Sequence, residues 1–169
     1  MLPYLTRDWE GEPVFLVCGG PSVADVNFNR LEGRRIVVIN SSYEACPWAD
    51  ALVFNFYNKS PRYIEPQKAA EIIAQLPPLI MPVGIFVNEH EDRIREIQQQ
   101  ACIPTVQLHG DESPEFCQRF ASHVIKAFQV KDKESLKAMA HYRVGAFLLD
   151  SYRDDLRGGT GTTFDWHLA

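Results

Sequence analysis

The stretch VGIFVNEHEDRIREIQQQACIPTVQLHGDESPEFCQRFASHVIKAF, residues 83–128, carries the fold in miniature. Three short apolar runs, Val83–Val87, Thr105–Leu108 and Val124–Phe128, alternate with two segments of helical character. The runs are rich in Val, Ile and Phe and mostly apolar on both faces, the pattern of parallel strands covered on each side. Between the first two, Glu91–Ala101 sets Ile94, Ile97 and Ala101 on one face with Arg and Gln opposite. Between the second and third, Ser113-Pro114-Glu115 is a helix start: Ser as cap, Pro at the first helical position, Glu at the positive end of the dipole.

The pattern extends both ways. Further strand-length runs stand at Val14–Cys18, Ile36–Ile39, Ala51–Tyr57 and Val144–Leu149. Further helical segments are Glu65–Leu76, with Ala69, Ile72, Ile73 and Leu76 on one stripe, and Lys133–Tyr142, with Leu136 and Met139–Ala140 facing inward. A short helical candidate, Val23–Leu31, joins the first two runs. Beyond position 83 the strands recur about every 20 residues, and strand–helix alternation at so short a period argues for α/β architecture with right-handed crossovers, a barrel rather than an open sheet. A complete (β/α)8 barrel usually needs about 200 residues or more, so the 169 residues fall short of one.

Composition narrows the function classes. With 46% hydrophobic and 23% charged residues the chain reads as one soluble domain spanning residues 1–169. A net charge of −5 argues against a nucleic-acid-coating surface. No apolar run approaches a membrane span of about 20 residues, and Met1–Glu12 does not read as a signal peptide, so the cytoplasm is the expected compartment. Cys18, Cys46, Cys102 and Cys117 form no C-x-x-C pair and no His stands at metal-site spacing, so no metal is expected. Cys102 and Cys117 read as buried thiols on apolar helix faces. Cys18 differs, because it ends a strand and precedes Gly19-Gly20.

In α/β barrels the reacting groups gather at the C-terminal ends of the strands. The polar residues there are Asn58–Tyr63, Asn88, His109–Glu112, Gln129, Asp150-Ser151 and Arg157–Thr162. Asp150 follows Phe147-Leu148-Leu149, and a carboxyl group among apolar neighbours suits a general acid; a helix cap or loop ion pair is the plainer alternative. His109 stands at a strand end before Gly110, where a structural hydrogen bond competes with a catalytic role. Arg62 can grip a carboxylate bidentately, or lie in solvent. Gly158-Gly159-Thr160-Gly161 lets backbone N–H groups approach an anion, and so does the turn Gly19-Gly20-Pro21-Ser22.

At these residues the chain resembles a known family. ADALVFNFYNKSPRYI (49–64), PVGIFVN (82–88), VQLHGDESPEFC (106–117), VIKAFQV (124–130), FLLDSY (147–152) and RGGTGTTFDW (157–166) resemble phosphoribosylanthranilate isomerase, a (β/α)8 TIM-barrel enzyme of tryptophan biosynthesis. The resemblance implies an Amadori rearrangement of N-(5′-phosphoribosyl)anthranilate, a phosphorylated sugar substrate, to the aminoketose, with no cofactor. It implies Asp150 as general acid, Arg62 on the anthranilate carboxylate, His109 lining the site, and Gly158, Gly159 and Gly161 bordering the substrate. The family's general base is a Cys on its first strand, followed by Gly; Cys18 is the candidate here. The first βα unit is atypical, since a further strand over Arg35–Asn40 stands between Cys18 and the matching region. Residues 49–169 are then the barrel portion and 1–48 an atypical βαβ-like segment. The family continues past F-D-W with two more strands whose loops bind the phosphate, so the expectation is an incomplete barrel with little turnover of its own.

Residues 13–55 also resemble the Rossmann-like start of phage-borne, MptE-like and sialyltransferase-like proteins, through Cys18–Ser22, Ile36–Asn40 and Cys46–Asp50. That resemblance implies an alternative, a nucleotide or nucleotide-sugar site at the Gly-Gly-Pro-Ser loop. A third reading is an inactive chimeric fragment.

Overall fold

The computed structural model describes residues 14–17, 29, 33–39, 49–120, 123–130 and 137–151. Seven strands form one sheet: β1 (Val14–Val17), β2 (Arg35–Ile39), β3 (Ala51–Asn55), β4 (Met81–Phe86), β5 (Thr105–Leu108), β6 (Val124–Val130) and β7 (Ala146–Ser151). Their spatial order is their chain order and every neighbouring pair is parallel. A sheet that never reverses direction of travel is the unrolled form of a β/α barrel, not a doubly wound sheet with its switch point. All strand C-termini therefore lie at one end, and the polar residues that follow them share it.

The two faces divide as the period of two requires. On one face Ala51, Val53, Val83 and Ile85 form a small cluster with Val37, Ile39, Met81 and Ile125 packed against it. On the other, Leu52, Phe54, Phe86, Val106, Leu108 and Val124 form the larger core with Ala69, Ile94, Ile97, Ala101 and Cys117 from the helices. Both faces are covered, which is why the strands read as continuous apolar runs.

Among the described residues three α-helices supply the second cover: α1 (Pro66–Ile73), α2 (Glu91–Ala101) and α3 (Pro114–Gln118). α2 has the bounds that periodicity predicts. Glu91 and Asp92 occupy its first turn, and Glu91–Arg95 and Arg93–Glu96 pair along its exposed side at 2.7 and 2.6 Å. Hydrogen bonds from Arg95 and Arg119 hold the Glu91 carboxyl below the usual carboxylate range. α3 starts as expected, with Ser113 Oγ accepting from Phe116 N at 3.2 Å and Pro114 at the first turn.

Two expectations change. The segment placed at Lys133–Tyr142 contains a 3-10 turn, Ala138–His141, with no buried residue, so Ala140 does not face inward; Leu136 lies outside the described residues. Cys102 is not a buried thiol. It caps α2 in the left-handed region at φ 55° and is exposed, because the chain must turn back there toward β5. Cys117 is buried as expected, and burial pushes its thiol up to about 11. With folded Cys117 held as a thiol, alkylation at pH 8 followed by mass spectrometry is expected to modify Cys102 at least about tenfold faster than Cys117. Equal rates would mean that the α3 region opens freely.

Candidate active site

The candidate site is built at the C-terminal ends of β5, β6 and β7. His109 follows β5 directly and stays in the ladder, its N–H donating to Phe86 O at 2.9 Å. Its Nε2 lies 3.2 Å from Asp150 Oδ2, with the two side chains 12% and 18% exposed. Asp150 sits on β7 opposite Gln129 of β6, so the contact crosses one whole strand.

The other imidazole nitrogen, Nδ1, stands 3.2 Å from Gln107 Nε2. An amide nitrogen only donates, so Nδ1 accepts and the ring proton is assigned to Nε2, which donates to Asp150. Asp150 Oδ2 is thus held by histidine. Gln129 Nε2 is buried with no hydrogen-bond partner among the described residues, one strand from this pair. A buried amide without a partner is uncommon and marks an unspent donor.

Beneath His109 lies a buried ion pair. Lys126 Nζ and Glu112 Oε2 are 3.1 Å apart and both side chains are 3% exposed. Lys126 Nζ also donates to Leu108 O at 3.2 Å, Gly110 O at 2.8 Å and Ala127 O at 3.0 Å. Glu112 accepts from Asn88 N at 2.8 Å and from Gly110 N at 2.9 Å. Asn88, at φ 51°, closes the loops with Oδ1 accepting from Asp111 N at 2.7 Å. Tyr142 Oη donates to Glu112 O at 2.9 Å, which secures the same loop from the β7 side.

Gly110 is required by contact. A Cβ there would stand 2.3 Å from Asn88 Oδ1 and 2.7 Å from Asn88 N, which is backbone and cannot yield. Gly110→Ala is expected to cost about 1–3 kcal/mol, read as a lower denaturant midpoint at unchanged slope. A midpoint equal to that of the parent chain would show that this loop has slack.

The residues singled out in the sequence fall as follows. His109 and Asp150 are brought together. Arg62 lies in the loop after β3, where Arg62 N donates to Ser60 Oγ at 3.1 Å and Ile64 N donates to Asn55 O at 2.9 Å, so it stands at the same end of the sheet. Cys18, the Gly19–Ser22 turn and Gly158, Gly159 and Gly161 lie outside the described residues. β1, which leads into Cys18, is an edge strand; β2 separates it from β3. Gln107 and Lys126 were missed. The available signal was a lysine in the middle of an otherwise apolar strand, VIKAF, where a charge is tolerated only with a partner.

The family model for N-(5′-phosphoribosyl)anthranilate isomerase matches residues 38–169, from within β2 onward. The chain belongs to the phosphoribosylanthranilate isomerase family. It is 54% identical over 121 residues to the isomerase of Geotalea uraniireducens, covering 72% of this chain and 60% of that one. The solved phosphoribosylanthranilate isomerase of Thermotoga maritima superposes with a TM-score of 0.67 at 33% identity, covering 93% of this chain and 69% of that one. A second solved isomerase, in complex with reduced 1-(o-carboxyphenylamino)-1-deoxyribulose 5-phosphate, matches at TM-score 0.60 and 32% identity over 83% of this chain and 66% of that one. The chain thus spans about 60% of the length of the curated isomerases it matches. The family's barrel is present as an incomplete one, and β3 to β7 carry the matching motifs. No helix among the described residues is long and apolar enough to cross a membrane.

Proposed function

We propose that this chain performs, or contributes the acid side of, the aldose–ketose isomerisation of N-(5′-phosphoribosyl)anthranilate. The observation that carries the reading is the His109–Asp150 contact at the C-terminal mouth of a family barrel. The substrate is an N-glycoside whose ring must open before its C2′ proton can leave. In this reading the Asp150 carboxyl delivers a proton to the furanose ring oxygen, the C1′–O bond breaks, and the nitrogen lone pair forms the Schiff base. A base then removes the C2′ proton, the electrons flow to nitrogen as the enolamine, and its tautomer is the aminoketose. His109 donates to Asp150 Oδ2 and fixes the carboxyl plane. Arg62, at the same mouth, is assigned to the anthranilate carboxylate, where a planar fork matches two oxygens. Gly158, Gly159 and Gly161 are assigned to the border of the bound substrate, and no cofactor enters any step.

The base is assigned to Cys18. Cys18 follows β1 in the sequence and precedes Gly19, the Cys-Gly step of the family's base. β1 and β2 continue the same sheet, which supports reading residues 1–169 as one domain. The test is loss of anthranilate fluorescence with freshly made substrate, on the parent chain and on Cys18→Ser. Turnover by the parent that falls at least about 100-fold in Cys18→Ser supports both roles. Full turnover in Cys18→Ser removes the base assignment, and no turnover by the parent removes the activity from this chain alone.

A further inference from the structure

We propose that the buried Glu112–Lys126 pair is the positioning device for His109, and through it for Asp150. The clamp acts on the backbone either side of the histidine. Lys126 Nζ holds the carbonyl before His109, Leu108 O, at 3.2 Å, and the carbonyl after it, Gly110 O, at 2.8 Å. Glu112 holds the N–H after it, Gly110 N, at 2.9 Å, and ties the same oxygen set to Asn88 N on the neighbouring loop at 2.8 Å. His109 N is already committed to Phe86 O. Leu108 O, His109 N, Gly110 N and Gly110 O are therefore anchored to β4, β6 or the β5 loop, and the side chain inherits that direction.

The charge is what makes the clamp specific. An ammonium offers three N–H donors without a fixed plane, so one Lys126 shares them among the carbonyls of Leu108, Gly110 and Ala127 and the Glu112 carboxylate. Its 3% exposure leaves no water to compete, and the carboxylate opposite holds the ammonium in that place. A neutral side chain at 126 could fill the volume but could not hold both carbonyls. The device rests on the reading of His109 and Asp150 as the working pair, and Glu112 and Lys126 touch no substrate in it; they are positioning residues.

The experiment follows the His109 ring itself, in the full chain labelled with nitrogen-15 histidine. In the parent, Asp150→Asn removes the acceptor of the Nε2 proton and is expected to move the His109 ring resonances. In the paired variant Glu112→Gln/Lys126→Met, which removes both charges together so that neither is left buried alone, the same Asp150→Asn change is expected to produce less than about half that response. The control Ile97→Val, a core change away from the loop, is expected to leave the response whole. A full response in the paired variant overturns the proposal. Should that variant not fold, amide exchange in the unsubstituted chain decides: Asn88 and Gly110 N–H exchanging at least about 100-fold slower than an exposed amide supports the clamp, and free exchange overturns it. Neither reading needs turnover. A chain without isomerase activity whose His109 response is more than halved in the paired variant loses the proposed activity and keeps the clamp; an active chain whose response stays full in that variant keeps the activity and loses the clamp.

Discussion

Asp150→Asn is expected to lower turnover of N-(5′-phosphoribosyl)anthranilate by about 10²–10⁴-fold, the range that positioned acid–base groups supply. The substitution is nearly isosteric, so the fold is expected to stay intact. What changes is chemistry: the amide cannot pass a proton to the ring oxygen. Its geometry also changes sign locally, because His109 Nε2–H faces Asp150 Oδ2 at 3.2 Å, and an amide turned the wrong way sets two donors against each other. The loss should therefore fall on kcat rather than on KM, since binding of the ground state is not what the proton transfer supports. Steady-state fluorescence kinetics on parent and variant, with circular dichroism to confirm folding, make the check. A folded Asp150→Asn chain within threefold of the parent would mean that the acid is another group.

Lys126→Met is expected to destabilise the chain by about 3–5 kcal/mol, because it leaves the Glu112 carboxylate buried and without its cation. Three effects add in the same direction. Glu112 Oε2 loses its 3.1 Å partner, while Leu108 O and Gly110 O lose the donor that served both. The contact of the ammonium with the Phe128 ring, 5.3 Å from its centroid, goes as well. Glu112 retains the Asn88 and Gly110 amides, which sets the expectation toward the lower end of the range. Against a typical total stability of about 5–15 kcal/mol this is a large fraction. Urea unfolding of parent and variant measures it; a loss under about 1 kcal/mol would show that water reaches the Glu112 carboxylate. Removing both charges in the paired variant should cost less than removing one.

Much of the fold is legible in the residues themselves. Runs such as Val83–Val87 are apolar on both faces because both faces are covered, and the α2 periodicity places its ends correctly because Ile94, Ile97 and Ala101 leave a single stripe. Ser113-Pro114 marks a helix start for local reasons that no distant contact can undo. The errors also have local causes. Cys102 was assigned to the apolar face of α2, but it follows Ala101 as the residue that reverses the chain, and a left-handed cap points outward. The stretch before Tyr142 has helical composition, yet its described part closes as a short 3-10 turn with its side chains outside the core.

The candidate site divides in the same way. Strand-end position alone singled out His109 and Asp150, since parallel strands put every C-terminus at one end. That they meet depends on β5, β6 and β7 lying side by side in register, and register is a property of the assembled sheet. Glu112 was visible as one more polar residue of a loop, and Lys126 only as an unexplained charge in a strand. Their pairing joins residues from two different elements through the interior.

The amino-acid sequence by itself determined the class of fold, the direction of the strands, and the residues available at the mouth, because side-chain periodicity and turn chemistry act over a few neighbours. Only the tertiary structure decided which of those residues touch, and that β2 rather than β1 lies against β3. Strand order and buried charge pairing depend on surfaces brought together from distant parts of the chain, and no local pattern encodes a distance across a sheet.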